Sequence, residues 1–196
     1  MDFNQQQYEQ YGFQYLNSNQ NGDVGGGTPE TRVQFLQEYL PAGRSIFEIG
    51  SGGGMDALEL KKVGYHVTAS DFTDTFVKTL QGKGLETVFF DAKKDELPNT
   101  FDAIYANAVF VHFAPEDFSA FLKRVQPKLT NEKLIFLSVI KGLGHERASR
   151  SRGFERDFFY YELSFLELLF KQSGYTVLKV KNDYEKWIQL IAKSSL

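Results

Sequence analysis

The sequence predicts an α/β fold: a doubly wound, mostly parallel seven-stranded sheet with a C-terminal antiparallel hairpin strand. Three observations predict it. The segment Ile46 to Leu60 (IFEIGSGGGMDALEL) drives a β-branched and aromatic run into a glycine turn and out again as a helix. Short apolar runs then alternate with helical stretches as far as Ile140, the pattern of parallel strands joined by crossover helices. Near the C-terminus, two alternating runs flank the polar turn Asn182-Asp183 and read as a hairpin.

Taken in order, residues 1–27 are polar (NQQQ, NSNQNGD, GGG) and read as a flexible tail or linker, with Tyr8, Tyr11, Phe13 and Tyr15 interleaved. The folded domain is expected over residues 28–196. Thr28-Pro29-Glu30 supplies an N-cap, a proline at the first helical position and an early acid. Val33, Leu36, Tyr39 and Leu40 follow on one stripe, so this helix should pack on the sheet. The first strand starts at Ile46 and carries Glu48 into the turn Gly50 to Gly54. Val63-Gly64 closes the next helix with a glycine C-cap. Tyr65 to Ser70 is a second strand ending in Asp71, and Glu86 to Phe90 a third ending in Asp91-Ala92. Phe101 to Asn107 is a fourth, and Lys133 to Ile140 a fifth, after a helix stop at Pro127-Lys128. The carboxyl ends of strands one to four converge on one crevice, where open parallel sheets bind ligands.

The glycine turn leaves no room for side chains, and the free N–H groups of the following helix offer donors and partial positive charge. A nucleotide-like ligand is therefore expected near Gly50 to Gly54. The dinucleotide fingerprint fails because Met55 stands at its last glycine position, and no Gly-Lys-Ser/Thr of a phosphate loop is present. Asp71 closes the second strand at the distance where a ribose diol is gripped. Its plainer reading is a helix N-terminal acid before Thr73-Asp74-Thr75.

Acid-x-Gly-x-Gly-x-Gly, here Glu48, Gly50, Ser51, Gly52 and Gly54, resembles the first motif of the Rossmann-like S-adenosylmethionine-dependent methyltransferases. Phe101-Asp102-Ala103-Ile104 is similar to that family's "F-D-x-I" segment. The resemblance implies S-adenosyl-L-methionine as cofactor, held by these turn residues, by Asp71 and Phe72, by Asp91 and Ala92 against the adenine, and by Asn107. It also implies a reversed strand at the edge of the sheet, and an aromatic N-terminal lid in which Tyr11 and Tyr15 face the sulfonium with cation–π energy of roughly 0.5–2 kcal/mol. The plainer reading docks those rings on the core with no role. A binding protein that kept the fold and lost turnover, and a nicotinamide-dependent oxidoreductase, are the rival readings.

Lys141 to Tyr161 should cap the methyl-donor pocket where the chain leaves the fifth strand. It resembles a segment of bacterial small methyltransferases, some related to tellurite-resistance proteins, through Lys141, Gly142, Gly144, Glu146 and Arg147, with Trp187-Ile188 as a late element. That resemblance implies His145, Arg147 and Arg156 as acceptor contacts, and guanidinium groups there suggest an anionic acceptor. Arg150 and Arg152 read as a solvated loop. Asn107 lacks the following prolines of enzymes that methylate amide or base nitrogens. His112 resembles the subgroup's "L-L-H" histidine; it either takes or orients an acceptor proton, or is structural.

The chain has 196 residues, a net charge of −3 and no cysteine. That argues against global attraction to nucleic acid and excludes disulfides, thiolate metal sites and cysteine nucleophiles. No metal site is expected. No run is apolar enough to cross a bilayer and no signal-peptide pattern is present. The expectation is a cytoplasmic monomer or homodimer acting on a small molecule or short peptide.

Overall fold

A computed structural model describes residues 2–18, 24–150 and 153–195. Strands β1 (Ser45–Glu48), β2 (His66–Asp71), β3 (Glu86–Phe89), β4 (Phe101–Asn107) and β5 (Leu129–Ile140) run parallel. A small hairpin, β6 (His145–Ala148) and β7 (Arg156–Phe159), follows β5. Strands β8 (Tyr175–Lys181) and β9 (Trp187–Ser194) complete a seven-stranded sheet of order β3-β2-β1-β4-β5-β9-β8. β9 is antiparallel to both of its neighbours.

The reversed strand is therefore not at the edge, where the family resemblance placed it. β9 buries Ile188, Leu190, Ile191 and Ala192, whereas β8 exposes Leu178. A strand buried on both faces needs cover that an edge does not give, so β9 sits inside and β8 takes the rim.

Alternation along the strands sorts the core into two layers. Ile46, Ala103, Tyr105, Leu134, Phe136 and Ile191 pack against Val33, Phe35 and Leu36 of α2 (Pro29–Gln37) and Leu60 of α3 (Met55–Lys62). Phe47, Ile104, Ile135, Leu137 and Leu190 belong to the other layer. It is covered by Phe118, Phe121 and Leu122 of α5 (Pro115–Val125) and by Leu166 and Phe170 of α6 (Leu163–Gln172). α2 begins with the predicted Thr28 cap, closed as a box by Thr31. The remaining crossover helix, α4 (Asp74–Gly82), is capped by Thr73.

The N-terminal stretch departs from its sequence reading. Phe3–Ser18 form helix α1, held to the domain by polar side chains. Asn4 exchanges two hydrogen bonds with the backbone of Asp157 in β7, at 3.2 and 2.7 Å. Gln5 donates to the Phe72 carbonyl at 3.0 Å, and Glu9 accepts from the Asp74 amide at 2.9 Å. Gly12 allows the approach to α4, since a Cβ there would lie 3.1 Å from Thr75. Such a helix shows no hydrophobic stripe, so its composition looks like a tail.

Gly25 to Gly27 are no loose linker either. The carbonyls of Gly25 and Gly26 accept from Gln189, and that of Gly27 accepts from Arg32 at 2.7 Å. A Cβ on Gly25 would stand 1.7 Å from Asn107 Oδ1. The linker reading of residues 19–23 and the solvated reading of Arg152 lie outside the described residues.

α2 and α3 are joined through a buried ion pair. Arg32 and Asp56 are 1% and 6% exposed, with Nη2–Oδ1 at 2.5 Å and Nε–Oδ2 at 3.1 Å, and Tyr105 adds a hydroxyl bond at 3.2 Å. Removing one partner strands the other charge. Asp56→Ala should cost about 3–5 kcal/mol in urea unfolding, while Glu132→Ala, breaking the more exposed pair with Arg44, should cost under about 1 kcal/mol. Equal losses at both positions would show that Arg32 is not trapped in the interior.

Candidate active site

The turn from β1 to α3 passes Gly50, Gly52 and Gly54 through left-handed backbone angles, φ +63°, +51° and +76°. Packing explains two of them: a Cβ on Gly50 would strike Val109 at 2.6 Å, and one on Gly54 would strike Leu80 at 2.8 Å. At Gly52 the nearest atom would be Tyr15 Cε1 at 3.7 Å. There the protein leaves space, and that space belongs to a cavity of about 350 Å³.

Glu48, Gly50, Ser51 and Gly52 line this cavity together with Asp71, Phe72, Asp91, Ala92 and Asn107. Gly54 sits just behind, at the cap of α3. The strand ends have thus brought the sequence-selected residues to one crevice. Asp71 Oδ2 accepts the Gly52 amide at 3.1 Å, and its Oδ1 accepts the amide and hydroxyl of Thr73 at 3.1 and 3.2 Å. Its two readings are therefore not exclusive, for the carboxylate braces the turn and the next helix while facing the cavity. Burial pushes its pKa up to about 7 against those bonds. Glu48 is 2% exposed, and its Oε2 has no hydrogen-bond partner. Burial first, and the Asp56 carboxylate second, push it up to about 8.

Asp91 turns its carboxylate to the Lys93 amide and the Lys94 ammonium, at 3.0 and 2.7 Å. The Ala92 carbonyl accepts from Arg124. Asn107 accepts from Ser138 at 2.6 Å and donates to the Val24 carbonyl at 2.9 Å, so its side chain fastens the chain that precedes α2.

A second group of side chains meets in the same cavity. Tyr8, His112, Arg156 and Phe158 line it, with Tyr15, Arg150 and Trp187. His112 Nδ1 lies 2.7 Å from the Asp157 carbonyl, which can only accept, so Nδ1 carries the hydrogen. Its Nε2 therefore accepts from the Tyr8 hydroxyl at 3.1 Å. Desolvation in this wall lowers the imidazole to about 4, with the Arg156 and Lys93 charges pushing the same way against the Asp157 bond. The ring is neutral at pH 7.

Arg156 is 4% exposed, and its guanidinium lies 4.6 Å from the Phe154 ring centre and 5.0 Å from that of Phe158. It donates to the Tyr8 hydroxyl and the Ser149 carbonyl, both at 3.3 Å, and its Nε has no partner.

Other sequence-selected residues lie elsewhere. Arg147 grips the Asp157 carboxylate with Nε and Nη2 at 2.8 and 3.0 Å, half exposed and stacked on Phe3. His145 faces the same carboxylate at 3.3 Å. Strand pairing sets this: Arg147 stands directly opposite Asp157 in the β6–β7 hairpin, so neither residue reaches the cavity. Tyr11 stacks on Phe154 instead of lining the cavity, whereas Tyr8 lines it. Arg150, read as solvated, lines the cavity and stacks on Phe158 at 4.2 Å. The sequence reading also passed over Arg32 and Asp56, which line it too. The four-residue spacing of Asn4, Tyr8 and Gly12 on a helix face was the available signal for Tyr8.

Comparison with known proteins agrees with this geometry. The profile of a family described as "Methyltransferase domain" matches residues 26–180. The mitochondrial ubiquinone biosynthesis O-methyltransferase of Schizosaccharomyces pombe is 27% identical over 130 residues, covering 58% of this chain and 46% of that protein's length. Two solved structures share the fold. One is the 1,6-didemethyltoxoflavin-N1-methyltransferase of Burkholderia thailandensis, solved with 1,6-didemethyltoxoflavin and S-adenosylhomocysteine (TM-score 0.74, 15% identity, 100% of this chain and 92% of that one). The other is the magnesium protoporphyrin IX methyltransferase of Synechocystis PCC 6803, solved with S-adenosylmethionine (TM-score 0.73, 15% identity, 97% and 95%). With its profile match running through the glycine turn and both ends of the crevice, the chain belongs to the methyltransferase-domain family.

Proposed function

We propose that the protein transfers a methyl group from S-adenosylmethionine to an anionic small molecule. The observation that carries this reading is the cavity itself, which is lined by the glycine turn, Asp71 and Glu48 and also by Arg156. The fit to the cofactor is chemical. Gly52 leaves space at the turn, Asp71 keeps lone pairs for a ribose diol, and the acid on β1 is complementary to a ligand that carries positive charge. Once bound, S-adenosylmethionine supplies an electrophilic methyl group on a sulfonium. The chain's contribution is to hold an acceptor in line and dry, some 3–3.5 Å away.

Arg156 supports an anionic acceptor, since a buried guanidinium that no described carboxylate pairs suits a carboxylate or phosphate. Arg147 does not serve that role, because Asp157 already occupies its fork. The narrower kinship with bacterial small methyltransferases related to tellurite-resistance proteins rests on Lys141 to Arg147 and Trp187-Ile188. A small-molecule acceptor, no nucleic acid and a cytoplasmic setting complete the reading.

Calorimetry with S-adenosylmethionine and with NAD tests it directly; tighter binding of NAD would overturn it. Asp71→Asn, which keeps most of the brace, should weaken S-adenosylmethionine binding by about 1.5–3 kcal/mol. Unchanged affinity in the folded variant would take Asp71 out of the cofactor site. Gly52→Val, forced into a backbone angle that branched residues avoid and projecting into the cavity, should bind no cofactor.

The buried acids also set a pH dependence. Glu48 holds its proton up to about 8 when folded, against 4.5 as its ordinary value. Between those values the folded protein binds more protons than the unfolded chain, so stability falls as pH rises through that window. Glu48→Gln should flatten the slope in urea unfolding between about pH 5 and pH 8. A variant with the wild-type slope would show that Glu48 is charged in the free protein.

A further inference from the structure

Arg156, Tyr8, His112 and the Asp157 carbonyl form an unbroken hydrogen-bonded line along the cavity wall. Arg156 Nη1 donates to the Tyr8 oxygen at 3.3 Å, Tyr8 donates to His112 Nε2 at 3.1 Å, and His112 Nδ1 donates to the carbonyl at 2.7 Å. Only the Tyr8 oxygen stands between the guanidinium and the imidazole. Tyr8 belongs to α1, which precedes the residues matched by the family profile.

The charges around His112 are unequal in a telling way. From the turn after β3 comes Lys93, already paired with Asp2 at 3.0 Å and Asp117 at 3.6 Å. From β7 comes Arg156, which forms no ion pair with any described carboxylate and leaves Nε unpartnered. The Asp157 carboxylate is turned away to Arg147 and His145. The start of α1 adds Tyr8 and the Asp2 already counted. Arg150, which also lines the cavity, is paired with Glu146 at 3.1 Å, so among the described groups Arg156 is the cation beside the imidazole that no carboxylate pairs, and it lines the space where an acceptor would lie.

We propose that the acceptor arms its own base: its anionic group seats on the cavity-lining guanidinium of Arg156, and the neutralised guanidinium then lets the Tyr8–His112 pair take the acceptor's proton. The inference rests on the methyl-transfer reading and narrows it to acceptors that carry an anionic group and an O–H or N–H nucleophile. The acceptor's proton passes to the Tyr8 oxygen while the Tyr8 proton passes to His112 Nε2, leaving an imidazolium with Nδ1–H still on the Asp157 carbonyl. The freed electron pair of the acceptor forms the new bond to the methyl carbon, and the pair of the broken carbon–sulfur bond stays on sulfur. Tyr8 is the catalytic residue here, and His112 acts through it. Without an anion on Arg156 the imidazole stays neutral, held low by desolvation and then by the Arg156 and Lys93 charges, and the site does not abstract protons.

The switch is measurable without knowing the acceptor. Sulfate, which does not titrate near the working pH, is added to the protein saturated with S-adenosylhomocysteine at about pH 5.5, and the binding heat is compared in buffers of different ionisation enthalpy. Sulfate binding should bring proton uptake in the wild type. His112→Gln should keep sulfate binding and lose the uptake, and Arg156→Gln should weaken sulfate about tenfold or more. Should Arg156→Gln fail to fold by circular dichroism, the His112→Gln comparison decides alone. No sulfate binding, binding without proton uptake, or uptake that persists in His112→Gln would overturn the proposal. S-adenosylhomocysteine binding to the same protein separates the two readings. If it binds and no protons are taken up, the switch alone falls. If it does not bind, the methyl-transfer reading falls, and the sulfate titration on the free protein still decides the switch.

Discussion

Ionisable side chains buried at the carboxyl ends of β1 and β2 constrain everything around them. Glu48, Asp56, Asp71 and Arg32 are each under a tenth exposed. Charges taken out of water are tolerated only when paired, hydrogen-bonded or neutralised by a proton, and each solution appears here. Asp56 has Arg32 and Tyr105, Asp71 has the Gly52 and Thr73 donors, and Glu48 keeps a proton. The glycine turn follows from this, because the Gly52 amide must swing toward Asp71 while the chain still enters α3. So does the path before α2, since Arg32 spends a guanidinium nitrogen on the Gly27 carbonyl. A ligand that brings positive charge and hydroxyl donors to Glu48 and Asp71 would complete a set the protein leaves unfinished.

The sheet was legible in the sequence because its signals are local. β4 runs over the residues read from the alternation at Phe101 to Asn107, and β2 ends on Asp71 as the spacing required. The glycine-turn half of the cavity was legible for the same reason: each of its side chains lies at or just past the end of a strand. The interior position of β9 was not, since strand order depends on which face is covered and not on the run itself. The opposite wall was read only in part. Arg147 and Arg156 look alike as sequence, yet one lies opposite Asp157 in a two-residue-wide ladder and the other is enclosed between Phe154 and Phe158. Pairing register, which no composition reveals, separates them.

Helix α1 shows how a functional wall can hide in an unpromising composition. Its buried face holds Asn4, Gln5, Tyr8 and Gly12, a set with little apolar surface. The energy that seats it comes from hydrogen bonds to the backbones of β7 and of the β2–α4 link, each worth about 0.5–1.5 kcal/mol net, and from edge-on contacts of Tyr8 with Tyr15, Phe76 and Phe154. Such an attachment is specific in direction and modest in strength.

The two halves of the cavity accordingly obey different physics. Strand ends and a turn fixed by glycine angles build the half with Glu48, Gly52 and Asp71. The half with Tyr8, Arg150 and Arg156 comes from α1 and the β6–β7 hairpin, elements that contribute nothing to the seven-stranded sheet. Their places are set by the hairpin register and by the seating of α1. The family profile, which covers residues 26–180, spans Arg150 and Arg156 and stops short of Tyr8, so the wall that α1 supplies lies outside the matched region.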